Sequence, residues 1–185
     1  MKKSQYEDLF RDPLYWCEKA KRQFYSANIL HGNLLKLLKT SDNWTSQEDQ
    51  NFISIMDSFF LLVGLSFENL IKGLIISRDL SIIDKKEYEE KYGFNFHHDL
   101  CSMFLKNFRT LTDSEAELLG RLQNYLAWMA KYPVPLEKYF DKEVYHGYKL
   151  SDPETISHLH SELCKKIEEN VDRDPLNYLT SRNNE

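Results

Sequence analysis

The residues from Phe52 to Asp79 are apolar on almost every side of a helical projection. A helix of that kind has to be surrounded, so the rest of the chain must supply neighbours for one long central helix. A bilayer is not the expected surrounding. Asp57, Glu68 and Lys72 interrupt the segment, and its longest charge-free run is too short to cross hydrocarbon. Glu68 and Lys72 stand four apart and share one face with Leu61, Leu65 and Ile75 or Ile76. Charges on an apolar face need each other or a polar cavity. Two readings are open: an i,i+4 ion pair at the edge of the core, or one wall of a pocket.

The neighbours are also helical. Asp12 before Pro13 is a helix start, and Trp16, Ala20, Phe24, Ala27, Leu30, Leu34 and Leu38 follow at spacings of three and four. This predicts an amphipathic helix ending near Lys39. Residues 40–44 read as a loop, and Thr45 or Ser46, with Glu48 and Asp49 behind it, opens the central helix. Asp79 to Phe96 is a less regular connection, with room for a short charged helix stopped by Gly93. Asp99 is placed to cap a short helix carrying Leu100, Phe104, Leu105 and Phe108. Thr112 to Glu115 starts a further helix with the core stripe Leu118, Leu119, Leu122, Leu126 and Met129, ended by Pro133 and Pro135. An extended aromatic segment leads to Leu150. Ser151 or Asp152, followed by Pro153, starts a last helix with the stripe Ile156, Leu159, Leu163 and Ile167. No strand pattern, internal repeat or low-complexity tract is present. The expected fold is all-α, an antiparallel up-and-down bundle of about five main helices in a single domain over 1–185, with a loosely held start (1–11) and a polar tail (174–185).

Composition narrows the function. A net charge of -5 and a pI of about 5.7 argue against broad binding to nucleic-acid phosphates, though not against a small basic site. Cys17, Cys101 and Cys164 are odd in number and form no CxxC. A disulfide framework or zinc knuckle is therefore not expected, and a cytoplasmic setting is. The opening MKKSQYEDLF has no apolar run after its lysines, so no signal peptide is expected. Walker A, GxGxxG, HExxH and GxSxG patterns are absent. His158 and His160 lie two apart on a helix and point in different directions, and His97-His98 has no evident partner cluster. Neither a metal nor another cofactor is expected.

Two stretches carry chemistry. One is Glu68-x-x-x-Lys72, followed by His98-Asp99-Leu100 at the start of the next helix. The other is the helix bearing Arg121, Asn124, Trp128 and Lys131, at i, i+3, i+7 and i+10, which makes a polar and aromatic stripe before Tyr132-Pro133. Over residues 50 to 135 this order resembles the HEPN superfamily of small helical bundles, with its E-x-x-x-K helix and a late arginine helix ending in a pattern like W-x-x-[RK]-Y-P. The resemblance implies a bundle that often pairs into a dimer. It also implies, for many members, a metal-independent ribonuclease, often a toxin or abortive-infection factor. In such an enzyme an arginine holds the scissile phosphate and a histidine four to six residues further on takes the 2′-hydroxyl proton.

This chain departs from that signature. The positions after Arg121 where the histidine belongs hold Leu126, Ala127 and Trp128, and none of these moves a proton. The expected role is therefore binding. Glu68, Lys72, His97, His98, Arg121, Asn124 and Lys131 are the candidate ligand-binding residues. The partner is a nucleotide, an RNA end or a protein, and there is no membrane. The rival reading is a ribonuclease with a displaced base, its catalytic candidates being Glu68, His98 and Arg121. A third is a purely structural module. Tyr125, Trp128 and Tyr132, with Val134, Leu136, Tyr139 and Phe140 after them, exceed what one bundle face can bury and predict a homodimer.

Overall fold

A computed structural model of the chain describes residues 8–41, 44–79, 99–129 and 147–173. No strand occurs among them, and the fold is all-α. The main helices are α1 (Pro13–Leu38), α2 (Ser46–Arg78), α3 (Leu100–Asn107), α4 (Asp113–Asn124) and α5 (Asp152–Arg173). A π-helical turn, Tyr125–Met129, runs on directly from α4.

The expected start signals are in place. Asp12 accepts from the backbone N–H groups of Leu14 and Tyr15 at 3.0 and 3.3 Å. Thr45 and Glu48 form a capping box on α2, and Thr112 and Glu115 form another on α4. Asp99 accepts from Ser102 N at 3.1 Å. Each such cap satisfies donors that the first helical turn leaves open, worth about 1 kcal/mol.

The core is built on α2. Phe59, Phe60, Val63, Phe67, Leu70, Ile71, Leu74, Ile75 and Ile76 are all buried. Helix α1 runs antiparallel to it, since Trp16 lies at Gly73, Ala20 meets Ser66 and His31 stacks on Phe59. Helix α5 is antiparallel to α1, with Lys21 on Glu168 and Phe24 stacked on His160. It therefore runs parallel to α2, as the Phe67–His160 and Ser77–Asn170 contacts confirm. Simple up-down alternation is not kept by this pair; among the described residues α3 and α4, both short, lie between them in the chain. Two glycines set the closest approaches. A Cβ on Gly73 would stand 3.0 Å from Trp16 Cβ, and one on Gly64 2.9 Å from Leu126 Cγ, so the bare backbone lets α1 and the π turn seat against α2.

The stripes expected of α4 and α5 are buried at Leu118, Leu119, Leu122, Leu126, Ile156, Leu159, Leu163 and Ile167. Three details differ. Leu105 is exposed, because the buried face of α3 is Leu100, Met103, Phe104 and Asn107, an i, i+3, i+4, i+7 set that leaves Leu105 to one side. Phe10 is buried, and Trp16 Nε1 donates to its carbonyl at 2.8 Å, so the packed part of the chain begins inside the expected loose start. Arg121 is also buried, at 5% exposure, although it belongs to the polar stripe of α4. By length and composition α2 could cross a membrane, but 78% of its most apolar window is buried within the protein, as befits a core helix. The connection over 79–96 beyond Asp79, the Pro133–Pro135 stop, the segment from there to residue 146 and the tail from 174 fall outside the described residues, as do the side chains of Trp128 and Met129.

Candidate functional site

Glu68 and Lys72 meet as an i,i+4 ion pair on α2, each nearly enclosed, with side-chain exposures of 7%. Lys72 Nζ also stands 5.9 Å from the centre of the Trp16 ring on α1, close enough for a cation–π attraction. The pair thus sits where α1 crosses α2, next to the Gly73 contact.

Arg121 does not join it. Its guanidinium binds Asp152 in fork geometry, one NH group donating to Oδ2 at 2.9 Å and the other to Oδ1, and it donates to the Gly147 carbonyl at 2.6 Å. Glu117 lies 3.9 Å from Arg121 Nε, and the Phe60 ring lies 5.7 Å below the charged carbon. Burial opposes the charge on Arg121, but the Asp152 bonds hold its pKa above the ordinary value. Asp152 is the first residue of α5 and also accepts from Lys149 N at 2.8 Å. Arg121 therefore docks the start of α5 onto α4 and α2. Asn124 is half-buried and makes no side-chain hydrogen bond among the described residues. The Arg121, Asn124, Trp128, Lys131 alignment assumes an unbroken α-helix, and the regular α-helix ends at Asn124, where the π turn Tyr125–Met129 begins. His97, His98 and Lys131 lie outside the described residues.

A second charged cluster has almost no signature in the sequence. Arg109, between α3 and α4, binds two carboxylates at once. Its NH groups donate to Glu115 at 2.7 and 2.9 Å, and Nε and one NH group donate to Glu162 at 3.0 and 2.8 Å. The guanidinium also lies over Phe104 and Phe108, 5.5 and 5.6 Å from their ring centres. His158 is adjacent, so that Glu115, His158 and Glu162 offer ligand atoms within 4.8 Å of one another. These are the residues that could hold a metal, but Arg109 already engages the oxygens of both carboxylates, and the cluster works as an arginine clamp joining α3, α4 and α5. The His158-x-x-x-Glu162 spacing is the one visible signal.

This clamp makes stability depend on pH. The Arg109 bonds, against the opposing effect of burial and with help from Thr112, hold the Glu115 carboxyl down at about 2. A folded-state pKa below the unfolded one gives stability that is complete above the ordinary glutamate value and is lost as pH falls toward about 2. With Arg109 about one-third exposed, solvent screening leaves about 2 kcal/mol. The gap in unfolding free energy between the wild type and Glu115→Gln is expected to be of that size at pH 6 and to close as pH falls to 3 and below. A gap unchanged over that range would show that the charge of Glu115 is not what Arg109 holds.

No known protein family, curated protein or solved structure matches the chain.

Proposed function

We propose that this chain is a HEPN-like bundle that works by binding another protein surface, a second copy of itself included, and not by cutting RNA. The observation that carries this reading is the commitment of Arg121. A residue meant to receive a phosphate needs free donors facing solvent, whereas this guanidinium is enclosed and engaged by Asp152 and Gly147. Lys72 is likewise enclosed against Glu68. The nucleotide or RNA-end reading thus loses two of its cations. A protein partner is supported by large exposed apolar side chains on α1, Tyr25 at 70% and Ile29 at 55%, one helical turn apart. The cytoplasmic setting and a link to defence or toxin–antitoxin systems belong to the same proposal. The first is in keeping with three free thiols; the second rests on the resemblance alone.

The rival is a metal-independent ribonuclease whose base is His98 or Glu68 in place of the missing histidine. Removing a well-tuned proton acceptor typically costs roughly 10² to 10⁴-fold in rate. Labelled RNA incubated with the purified chain in chelator is expected to stay intact. Efficient cleavage, lost on His98→Ala or Arg121→Ala, would reverse the proposal.

Assembly is tested separately by sedimentation at micromolar concentration, where a dimer is expected. Replacing Trp128, Tyr132 and Tyr139 by polar residues is expected to give a monomer. A monomeric wild type would remove the self-association, and a dimer indifferent to those three residues would leave it without its stated cause.

A further inference from the structure

Six residues of α1 follow one another at alternating spacings of four and three: Glu18, Arg22, Tyr25, Ile29, Gly32 and Lys36. That rhythm keeps them on one line along the helix, about 27 Å long at 1.5 Å per residue. Ala20, Ala27 and Leu34, on the opposite side, are wholly buried, so the line faces outward. Five of its six members are exposed, and Gly32 is half-buried. Tyr25 and Ile29, the large apolar pair at its middle, are among the most exposed apolar side chains of the described residues.

Packing within the chain does not require Gly32 to be small. A Cβ there would meet nothing within 4 Å, whereas at Gly64 and Gly73 it would crowd a neighbour. Glycine inside a helix lowers stability relative to alanine, and a backbone approaching from outside the chain accounts for it here. The order of residues along the line fits a second α1. Glu18 and Lys36 are equally far from Ala27, as are Arg22 and Gly32, and Tyr25 and Ile29. An α1 laid antiparallel across a two-fold axis at Ala27 sets Glu18 against the partner's Lys36, Arg22 over the bare backbone of the partner's Gly32 and Tyr25 against the partner's Ile29, each twice. Opposite charges meet, a long side chain crosses the smallest one, and the apolar pair fills the centre. A parallel arrangement would set like on like, Glu18 on the partner's Glu18 and Lys36 on the partner's Lys36. Within its own chain Glu18 lies 3.7 Å from Lys21, an exposed ion pair that holds little energy. Arg22 Nε donates to the Glu18 carbonyl at 3.2 Å, which engages one of the five N–H donors of the guanidinium.

We propose that the outer face of α1 is a self-association surface, on which a second copy of this chain docks its own α1 antiparallel along the line from Glu18 to Lys36. The proposal rests on the protein-binding reading above and gives it a surface and a partner. The contact is separate from the one through Trp128, Tyr132 and Tyr139. Ridges of three- and four-residue spacing pack at a shallow crossing angle of about 20°, which keeps all the pairs in register over this length. One helix face buries an area at the small end of specific interfaces, under about 1,200 Å², so the association is weak and belongs to high protein concentration.

The test is sedimentation equilibrium of the full chain from micromolar to roughly millimolar concentration. Over that range the average mass is expected to rise about twofold or more above the species present at the low end. Ile29→Lys is expected to weaken this association by about tenfold or more, with Ile29→Ser as its substitute if the lysine variant does not fold by circular dichroism. Glu18→Lys and Lys36→Glu each set like charges against each other and are expected to weaken it several-fold. Both changes in one chain are expected to restore the wild-type rise, because the pair is then only reversed. Gly32→Leu is expected to raise Tm, leucine being the better helix former, while weakening association. Polar replacement of Trp128, Tyr132 and Tyr139 is expected to lower the starting mass and keep the rise. A wild type of constant mass, a rise that the Ile29 variants leave intact, or a charge-reversed double variant no better than its two parents would each overturn the contact. None of these outcomes reverses the protein-binding reading, which cleavage of RNA would.

Discussion

Arg121→Met is expected to lower the unfolding free energy by about 3 to 5 kcal/mol, the range seen when one member of a buried ion pair is removed. The methionine fills much of the space but leaves three acceptors behind. Asp152, itself buried, keeps only Lys149 N among the donors of the described residues, and the Gly147 carbonyl loses its partner. The damage also reaches beyond the pair. Asp152 begins α5, and α5 brings Ile156, Leu159, Leu163 and Ile167 to the core. For a domain of this size the loss corresponds to a fall in Tm of roughly 10 °C. Arg121→Lys is expected to lie between, because one ammonium cannot reproduce a two-pronged fork. The double variant Arg121→Met, Asp152→Leu is expected to recover part of the loss, since it removes the stranded charge. Urea unfolding of the three proteins decides. A loss under about 1 kcal/mol for Arg121→Met, the level of an exposed pair, would show that the guanidinium is not needed for the fold and would return it to the ligand-binding candidates.

The difference between what the sequence told and what it withheld is one of range along the chain. Stripes, caps and the Glu68–Lys72 pair are local: each is set by residues within about two helical turns, and helical geometry converts such spacings into faces. The Thr112–Glu115 capping box was legible for that reason. The second role of Glu115, as a partner of Arg109, was less so, and the Arg109–Glu162 arm crosses 53 positions. Arg121 and Asp152 are 31 apart, and the Asp152-Pro153 pair read as a helix start with no hint of its cation. Leu105 shows the opposite limit. Its apolarity placed it in the core, while the period of α3 placed it outside, and the period was right.

Lys72→Met carries the second large effect, expected at about 3 kcal/mol for the same reason as Arg121: the Glu68 carboxylate loses its adjacent cation at a position almost closed to water. The stem of the new side chain still packs beside Trp16, but the cation–π attraction is gone. Glu68→Leu with Lys72→Met is expected to be far closer to the wild type than Lys72→Met alone, because two apolar groups replace both charges on a helix that is otherwise apolar. The comparison separates the two meanings that the i,i+4 spacing left open. If the pair is an internal device of the fold, the single variant is unstable, the double variant recovers, and assembly by sedimentation is the same in the double variant as in the wild type. If the pair is instead the wall of a binding pocket, Lys72→Met unfolds at nearly the wild-type urea concentration, having had little stability to lose, and the double variant gains nothing over it. That second outcome would also withdraw support from the protein-binding proposal, because it would restore to Lys72 the freedom to meet an anionic ligand that its enclosure beside Glu68 now denies.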